Sequence, residues 1–286
     1  MHTRPYRPED EDAVIGLMAE HPDFIGTATD RILLRLDHRV QLVGSEDDRV
    51  VAYASLLCPP WFDASQLSAR VLVTSGRHNE GVGGAMWREI LAATGSATTV
   101  HGLVAVGDER SLAIANHWGL SVYQTPIESV ITFDERPAPA RLPEGFRVEF
   151  IDDVRNLGRE DLDRLLIAAD TSPEAGETGT HGMQGFDATP SPVMGVVLHD
   201  ADEPVGVVFT LTDGTAGYVL FTGIHPGVRG RGLARVIKQA AHLAAYDQGV
   251  RRLTTSNEES NAAIRRLNES MGYERLRASH RVRRTL

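Results

Sequence analysis

One turn constrains the fold more than any other feature of this sequence, because it joins an apolar strand pattern to a helical pattern through glycines. Residues 218–222 (YVLFT) predict a strand, and apolar residues then recur at helical spacing from Val236 until Gly249 interrupts them. Residues 224–234 (IHPGVRGRGLA) lie between the two patterns. A helix that begins on these glycines has backbone N–H groups without intrahelical partners, and its dipole is positive at that end. The turn is therefore predicted to bind an anion of the size of pyrophosphate.

The spacing of this turn separates it from two common phosphate-binding motifs. No Gly-Lys-Ser/Thr follows it, as in a Walker loop, and the dinucleotide pattern Gly-x-Gly-x-x-Gly is absent. Instead the turn reads Arg-x-x-Gly-x-Ala, with Arg229, Gly232 and Ala234 at the fixed positions. This pattern resembles the pyrophosphate-binding signature of the GNAT superfamily, the acyl-CoA-dependent N-acyltransferases.

The resemblance continues in the same order downstream. Residues 252–257 (RLTTSN) look like the fifth strand of that family, and residues 261–273 (NAAIRRLNESMGY) look like the next helix, which ends in Gly-aromatic. The resemblance implies an α/β fold in which a mixed, twisted sheet is flanked by helices. It further implies that the fourth and fifth strands splay apart to admit the pantetheine arm of acetyl-CoA, the expected co-substrate.

The resemblance also implies which residues hold acetyl-CoA. The backbone of Ile224 would bond the pantetheine arm, and the amides of residues 231–235 would hold the pyrophosphate, with charge-assisted bonds from arginine. Asn257 and Asn261 are candidates for the arm, although Asn257 also suits a turn and Asn261 a helix N-cap. The predicted cofactor-binding residues are Ile224, Arg229, Gly230, Arg231, Gly232, Leu233, Ala234, Arg235, Asn257 and Asn261.

The catalytic groups are less clearly marked. Many relatives carry a tyrosine that protonates the departing sulfur, and Asn268 stands at that position here. Protonation would then come from water or from another group such as Tyr218, because Tyr273 has the spacing of a core residue. An acidic stretch that begins at Asp170 offers a general base, with a solvated loop as the alternative. The predicted catalytic residues are Asp170 and Asn268.

An internal repeat divides the chain. Residues 134–145 carry three prolines without apolar periodicity, which is typical of a linker, and Gly81 and His78 precede Gly232 and Arg229 by 151 residues. We therefore predict tandem GNAT-like domains at 1–135 and 146–286, joined by a linker at 136–145. His78 in place of arginine, and Asp108 near the place of Asn261, predict a degenerate first half that is structural or only binds CoA. A catalytic first half is the alternative.

Composition excludes several other classes of protein. A length of 286 residues suits two domains, and a formal net charge of −10 argues against binding to nucleic acid. The apolar runs are too short for a membrane span and the N-terminus lacks a signal sequence, so we expect a cytoplasmic protein. The single cysteine, Cys58, excludes an internal disulfide, and no metal-ligand motif occurs. The C-terminal arginines predict a solvated strand face or a contact with CoA or a partner.

These patterns predict an acetyltransferase that moves an acetyl group from acetyl-CoA to a primary amine of a small molecule by direct transfer. The alternatives are a non-catalytic acyl-CoA-binding or regulatory module and another acyl-CoA reaction such as thioester hydrolysis. We expect a monomer or homodimer without a metal, a nucleic acid or a membrane as partner.

Overall fold

Thirteen strands and six α-helices occupy the residues that the computed structural model describes, which are 1–21, 34–47, 49–59, 64–169 and 191–286. The strands are β1 (His2–Pro5), β2 (His38–Glu46), β3 (Arg49–Leu57), β4 (Gln66–Val73), β5 (Thr99–Ala105), β6 (Ser121–Gln124), β7 (Pro126–Thr132), β8 (Phe146–Ile151), β9 (Val193–Asp200), β10 (Glu203–Asp213), β11 (Ala216–Ile224), β12 (Arg252–Glu258) and β13 (Glu274–Thr285). The helices are α1 (Glu11–Met18), α2 (Val82–Leu91), α3 (Glu109–His117), α4 (Arg159–Ala169), α5 (Leu233–Asp247) and α6 (Ala262–Ser270).

The chain forms two compact units, of which unit 1 comprises Met1–Pro126 and Arg277–Leu286. Its sheet has the order β1-β2-β3-β4-β5-β13, and β6 pairs with β13. Neighbouring strands run antiparallel except β4 and β5, which are parallel. Helix α2 packs on β3 and β4, where Trp87 stacks on Trp118 with ring centroids 4.8 Å apart. One buried cluster of unit 1 lies between this helix and the sheet, and a second joins α1 to the sheet.

Unit 2 comprises Ile127–Leu276, and its strand order is β7-β12-β11-β10-β9-β8. Strands β8 to β11 form an antiparallel series, whereas β11 and β12 run parallel. Helices α4 and α5 both pack on β10, which is buried at every residue from Pro204 to Leu211. Such cover explains why this strand reads as a continuous apolar run rather than as an alternating one.

The last strand of each repeat lies in the other unit. Strand β7, which ends the first repeat, is the neighbour of β12 in unit 2 beyond its first residue. Strand β13 belongs to unit 1 from Arg277 onward and pairs with β5 from Ser279 to Thr285. The domain boundaries predicted from the sequence, 1–135 and 146–286, remain a prediction. The two compact units do not coincide with them, because β7 lies in unit 2 beyond its first residue and β13 lies in unit 1 from Arg277 onward.

The proline-rich segment packs as part of unit 2. Arg136 donates hydrogen bonds of 2.8 and 2.7 Å to the carboxylate of Asp247 at the end of α5. Ala140 packs against the core of the same unit. Residues 136–143 form neither helix nor strand, yet these contacts hold the segment against the unit.

Both units contain the same strand–turn–helix element in the same register. Short 3₁₀ turns at Ser75–Arg77 and Pro226–Val228 follow β4 and β11, and α2 and α5 begin at Val82 and Leu233, 151 residues apart. The predicted α/β fold of two repeated units, each a mixed sheet flanked by helices, is confirmed.

Three C-terminal arginines contact groups of unit 1. Arg281 donates to the amide oxygen of Gln124 at 2.9 Å, and Arg284 donates to the carbonyl of Trp118 at 3.0 Å. The guanidinium of Arg283 lies 4.6 Å from the centroid of the Tyr123 ring. These residues thus pack on their own unit through hydrogen bonds and a cation–π contact.

Candidate active site

The glycine turn of unit 2 has a left-handed backbone at two positions. Gly230 and Gly232 both have φ of 77°, and Gly232 is the N-cap of α5. A Cβ built at either glycine meets no atom within 4 Å, so space alone would admit a side chain. The positive φ is therefore the local reason for glycine at both positions.

Helix α5 begins with amides that point out of the helix. The amides of Arg235 and Val236 donate to the carbonyl of Gly232 at 3.0 and 3.4 Å. Those of Leu233 and Ala234 come earlier in the first turn, where no intrahelical acceptor exists. With the left-handed residues before them, these amides form a concave group of donors that suits an anion.

One residue predicted to bind pyrophosphate, Arg235, already makes other hydrogen bonds. Its amide already donates to Gly232, and its guanidinium donates to the hydroxyl and carbonyl oxygens of Ser270 at 2.5 and 3.4 Å. Arg235 is therefore committed to α5 and α6. The amides left for an anion are those of residues 231–234.

Arg229 and Arg231 have different surroundings. Arg229 Nε donates to the carbonyl of Ile224 at 2.9 Å and so braces the turn against the end of β11. The carbonyl oxygen of Ile224, predicted to bond a pantetheine arm, thus already accepts one hydrogen bond. Arg231 is exposed, and its guanidinium carbon lies 5.0 Å from the centroid of the Phe146 ring. Both arginines are exposed at the mouth of the turn, and Arg229 is the one that also braces the strand.

Strands β11 and β12 separate beyond their first four paired residues. The parallel pairing runs from Ala216 with Arg252 to Val219 with Thr255, whereas β11 continues to Ile224 and β12 to Glu258. Backbone groups of these extensions that face each other are not paired in the sheet. The predicted splay is present, and it opens toward the glycine turn because that turn follows β11.

Two asparagines meet at the end of β12. Asn268 Nδ2 of α6 donates to Oδ1 of Asn257 at 2.7 Å. Asn268 is 2% exposed, and its Oδ1 has no hydrogen-bond partner among the described residues. A buried acceptor without a donor is costly, so this oxygen is a natural acceptor for a ligand N–H group.

Asn261 serves as the N-cap of α6. Its Oδ1 accepts a hydrogen bond of 3.4 Å from the amide of Ile264, which satisfies a first-turn donor of the helix. The capping alternative is thus present in the structure. Contact of Asn261 with a cofactor remains a prediction, as does contact of Asn257.

The acid and base candidates fall in different places. Tyr218 lies opposite Thr254, within the paired part of β11 and β12 and one residue before the pairing ends. Tyr273 is buried, as its spacing predicts, and its hydroxyl lies 2.9 Å from Nε2 of His242. Asp170 lies outside the described residues, as does the acidic stretch that follows it.

In the part of the chain that the structure describes, no three His, Cys, Asp or Glu side chains gather as a metal site.

Sequence reasoning missed a buried basic group on α5. Lys238 is 1% exposed, its Nζ has no hydrogen-bond partner among the described residues, and it lies 5.0 Å from the centroid of the Tyr273 ring. Burial lowers the pKa of Lys238 to about 7. Burial, together with the charge of Lys238, lowers the pKa of His242 to about 3. One signal was available in the sequence, because Lys238 is the only lysine among 29 Lys and Arg residues.

Unit 1 repeats the backbone of the turn with different side chains. Gly81 has φ of 80° and Asn79 has φ of 66°, matching Gly232 and Gly230. Glu80 stands where unit 2 has Arg231. Glu80 pairs with Arg77 at 3.1 Å, so an anion at this turn would meet an ion pair in unit 1 and an exposed guanidinium in unit 2.

Side-chain contacts of His78 and Arg110 mark the turn of unit 1. A ring nitrogen of His78 lies 2.9 Å from the carbonyl of Val73, in the place of Arg229 and Ile224. Arg110 of α3 contacts His78 and Asn79. Asp108 caps α3 by accepting from the amide of Ser111 at 2.9 Å. The turn of unit 1 is thus exposed and in contact with a guanidinium of α3.

Comparison with known proteins identifies the second half of the chain. The model of the Acetyltransferase (GNAT) family matches residues 160–273, from α4 to the Gly-Tyr end after α6. These residues therefore form a GNAT acetyltransferase domain. The chain is accordingly an enzyme of the N-acetyltransferase class. None of the curated proteins compared with the chain matches it.

Solved structures extend the likeness in fold to both units of this GNAT protein. A GCN5-related N-acetyltransferase from Sphaerobacter thermophilus is 20% identical, with a TM-score of 0.71 over 99% of this chain and 95% of that chain. A tandem GNAT protein from the clavulanic acid biosynthesis pathway is 16% identical, with a TM-score of 0.72 over 99% and 98%. A GCN5-related N-acetyltransferase from Kribbella flavida is 15% identical, with a TM-score of 0.60 over 89% and 92%. The likeness in fold thus covers both units, in agreement with the tandem arrangement predicted from the sequence.

The helices of the GNAT units are short. Of those in the described residues, none is both long and apolar enough to cross a membrane.

Proposed function

We propose that unit 2 binds acetyl-CoA and transfers its acetyl group directly to a primary amine of a small molecule. The observation that carries this proposal is the open strand pair that ends at the glycine turn. Strands β11 and β12 part after Val219 and Thr255, and the free amides at the start of α5 follow. An extended arm with a pyrophosphate at one end matches this sequence of backbone donors and acceptors.

The residues at the turn fit the co-substrate in charge and in conformation. The amides of 231–234 would hold the pyrophosphate, and the exposed guanidinium of Arg231 would add a charge-assisted bond. Arg229 would act indirectly, since its bond to Ile224 fixes the angle between strand and turn. Asn257 and Asn261 would contact the pantetheine arm, while Gly230 and Gly232 set the backbone.

Acetyl transfer needs an uncharged amine, donors for the charge that develops on the thioester oxygen, and a proton for the departing sulfur. Amides of β11 beyond Val219 that face the gap would supply the donors. Asn268 has no acidic proton, so we assign it the role of orienting the reactants through Oδ1 and leave protonation to water or Tyr218. Asp170 stays the proposed base.

The same reasoning separates the two units. We propose that unit 1 is degenerate in catalysis, because Glu80 replaces Arg231 and Asp108 replaces Asn261 beside a turn of the same backbone shape. The carboxylate of Glu80, paired with Arg77, offers a polyphosphate less attraction than the exposed guanidinium of Arg231. We propose the cytoplasm as the site of the reaction.

The test is CoA release from acetyl-CoA, measured with the full chain and a panel of amine-bearing metabolites, antibiotics and peptides. Amine-dependent release supports the proposal and identifies the acceptor. Amine-independent release would instead indicate thioester hydrolysis. Binding of acetyl-CoA without release under either condition would indicate a non-catalytic module, for which the burial of Asn268 against Asn257 is the favouring observation.

A further inference from the structure

Among the described residues, strand β8 forms one open edge of the unit 2 sheet. In the described part of that unit, β8 is the last strand in the order and pairs only with β9, from Phe146 with Asp200 to Ile151 with Gly195. The pairing has no register shift, and residues 146–151 (FRVEFI) contain neither proline nor glycine. Every second residue of such a strand directs its N–H and C=O groups away from its neighbour. The edge is therefore a regular template for one more strand.

The side chains of β8 expose both apolar and charged groups along this edge. Phe150 is 54% exposed, although it shares a face with the buried Phe146. Arg147 and Glu149 lie on the opposite face, with side chains about half exposed and 3.7 Å apart. Sheet edges are commonly protected by proline, a bulge or charges of one sign. Here the two charges have opposite signs, so they would repel an identical strand only in some registers.

We propose that two copies of this chain associate through antiparallel pairing of their β8 strands about a two-fold axis at Val148. In this register Arg147 faces Glu149 of the partner subunit, and Glu149 faces Arg147 of the partner subunit. Phe146 and Phe150 face each other across the axis in the same way. The contact is isologous, so each favourable pair occurs twice.

The neighbouring registers are disfavoured by charge. A two-fold axis at Arg147 would oppose two arginines, and an axis at Glu149 would oppose two glutamates. Like charges directly opposite each other destabilise a strand pair. Charge therefore favours the register whose two-fold axis passes through Val148. Pairing in this register would also cover Phe150.

The first test is sedimentation equilibrium of the full chain from about 1 to about 200 µM. The wild type is expected to show a concentration-dependent dimer. Arg147→Glu and Glu149→Arg should each raise the dissociation constant at least about tenfold, because every substitution creates two like-charge pairs. Arg266→Glu, an exposed charge reversal on α6, is the matched control and should leave the dimer unchanged.

Mixing the two single variants gives the decisive measurement. One variant then carries glutamate at positions 147 and 149, the other carries arginine at both, and every cross-strand pair is complementary. An equimolar mixture should therefore dimerise about as well as the wild type, although each variant alone stays largely monomeric. Phe150→Ser provides a second route should either charge variant fail to fold by circular dichroism. A monomeric wild type, an unaffected dimer in the folded variants, or no recovery on mixing would overturn the proposal.

Discussion

Arg229 Nε donates a 2.9 Å hydrogen bond to the carbonyl of Ile224, and this contact ties the last residue of β11 to the turn that follows it. A ring nitrogen of His78 lies at the same distance from the carbonyl of Val73 in unit 1. Both units therefore brace strand against turn by a side chain at the same place. In unit 2 the bracing side chain is an arginine, so it also adds a positive charge beside the proposed pyrophosphate site.

We expect Arg229→Ala to weaken acetyl-CoA binding by about 1 to 3 kcal/mol, since the turn loses its brace and the site loses a positive charge. His78→Ala removes the corresponding brace in unit 1 and should leave the affinity within about twofold. Isothermal titration of the two variants provides the comparison. Equal weakening by both would show that unit 1 also binds the co-substrate.

Gly232→Glu is expected to abolish acetyl-CoA binding, because a carboxylate at the helix start repels phosphate and a side chain blocks the backbone approach. Gly81→Glu is a close structural control, since both glycines have positive φ and open space for a Cβ. Each substitution should cost about 1 to 2 kcal/mol of stability through backbone strain. Thermal unfolding checks that cost, and titration checks binding. Retained affinity in folded Gly232→Glu would remove the pyrophosphate assignment.

Asn268→Ala leaves Oδ1 of Asn257 without its donor, so we expect a loss of about 1 to 3 kcal/mol in the free energy of unfolding. Because Asn268 is proposed to orient the reactants while water or Tyr218 protonates the departing sulfur, the single-turnover rate should fall by less than about a hundredfold. Rapid-quench measurement at saturating acetyl-CoA separates the two effects. A loss beyond about a hundredfold in a folded variant would make Asn268 a catalytic residue.

Lys238 should titrate near pH 7 in the folded protein, against an ordinary value of 10.5, because burial disfavours its ammonium form. The unfolded state binds more protons between these two pH values, so stability should rise as pH increases from about 7 toward 10 and stay level with respect to this group below 7. As Lys238 is the only lysine, lysine-labelled NMR reports its pKa from one signal.

Lys238→Met should flatten this pH dependence and raise the free energy of unfolding at pH 7 by on the order of 2 kcal/mol. Urea unfolding at pH 7, 8 and 9 measures both effects. Arg266→Met removes an exposed cation and is the control, expected to leave the slope unchanged. A wild-type midpoint near 10 in the NMR titration would show that Nζ is solvated.

Most of the features that could be predicted follow from local patterns in the sequence. The glycine turn, the start of α5 and the 151-residue register follow from short-range rules, because φ preferences and helix periodicity are properties of adjacent residues. The bond between Asn257 and Asn268 was not predictable in this way, since it depends on how α6 packs against the end of β12. The reach of Arg235 to Ser270 is likewise a tertiary contact, which sequence patterns do not reveal.

Strand placement was the other feature beyond the reach of local reasoning. The prolines of residues 134–145 mark a break in periodicity, but periodicity does not say which neighbour a strand chooses. The destinations of β7 and β13 are decided by long-range pairing. The burial of Lys238 was not predicted either, because a lysine on a helix is ordinarily solvent-exposed.

The placement of β7 and β13 has a consequence for the history of the gene. Each repeat encodes a sheet whose last strand is supplied by the other repeat's sequence, so a chain that kept only one copy would lose an inner strand between β5 and β6 or the strand beside β12. Deletion of either copy is then penalised, whether or not its turn binds a ligand. A substitution in the first turn, such as Glu80 in the place of Arg231, leaves β7 intact, whereas loss of the whole first repeat would remove the strand beside β12.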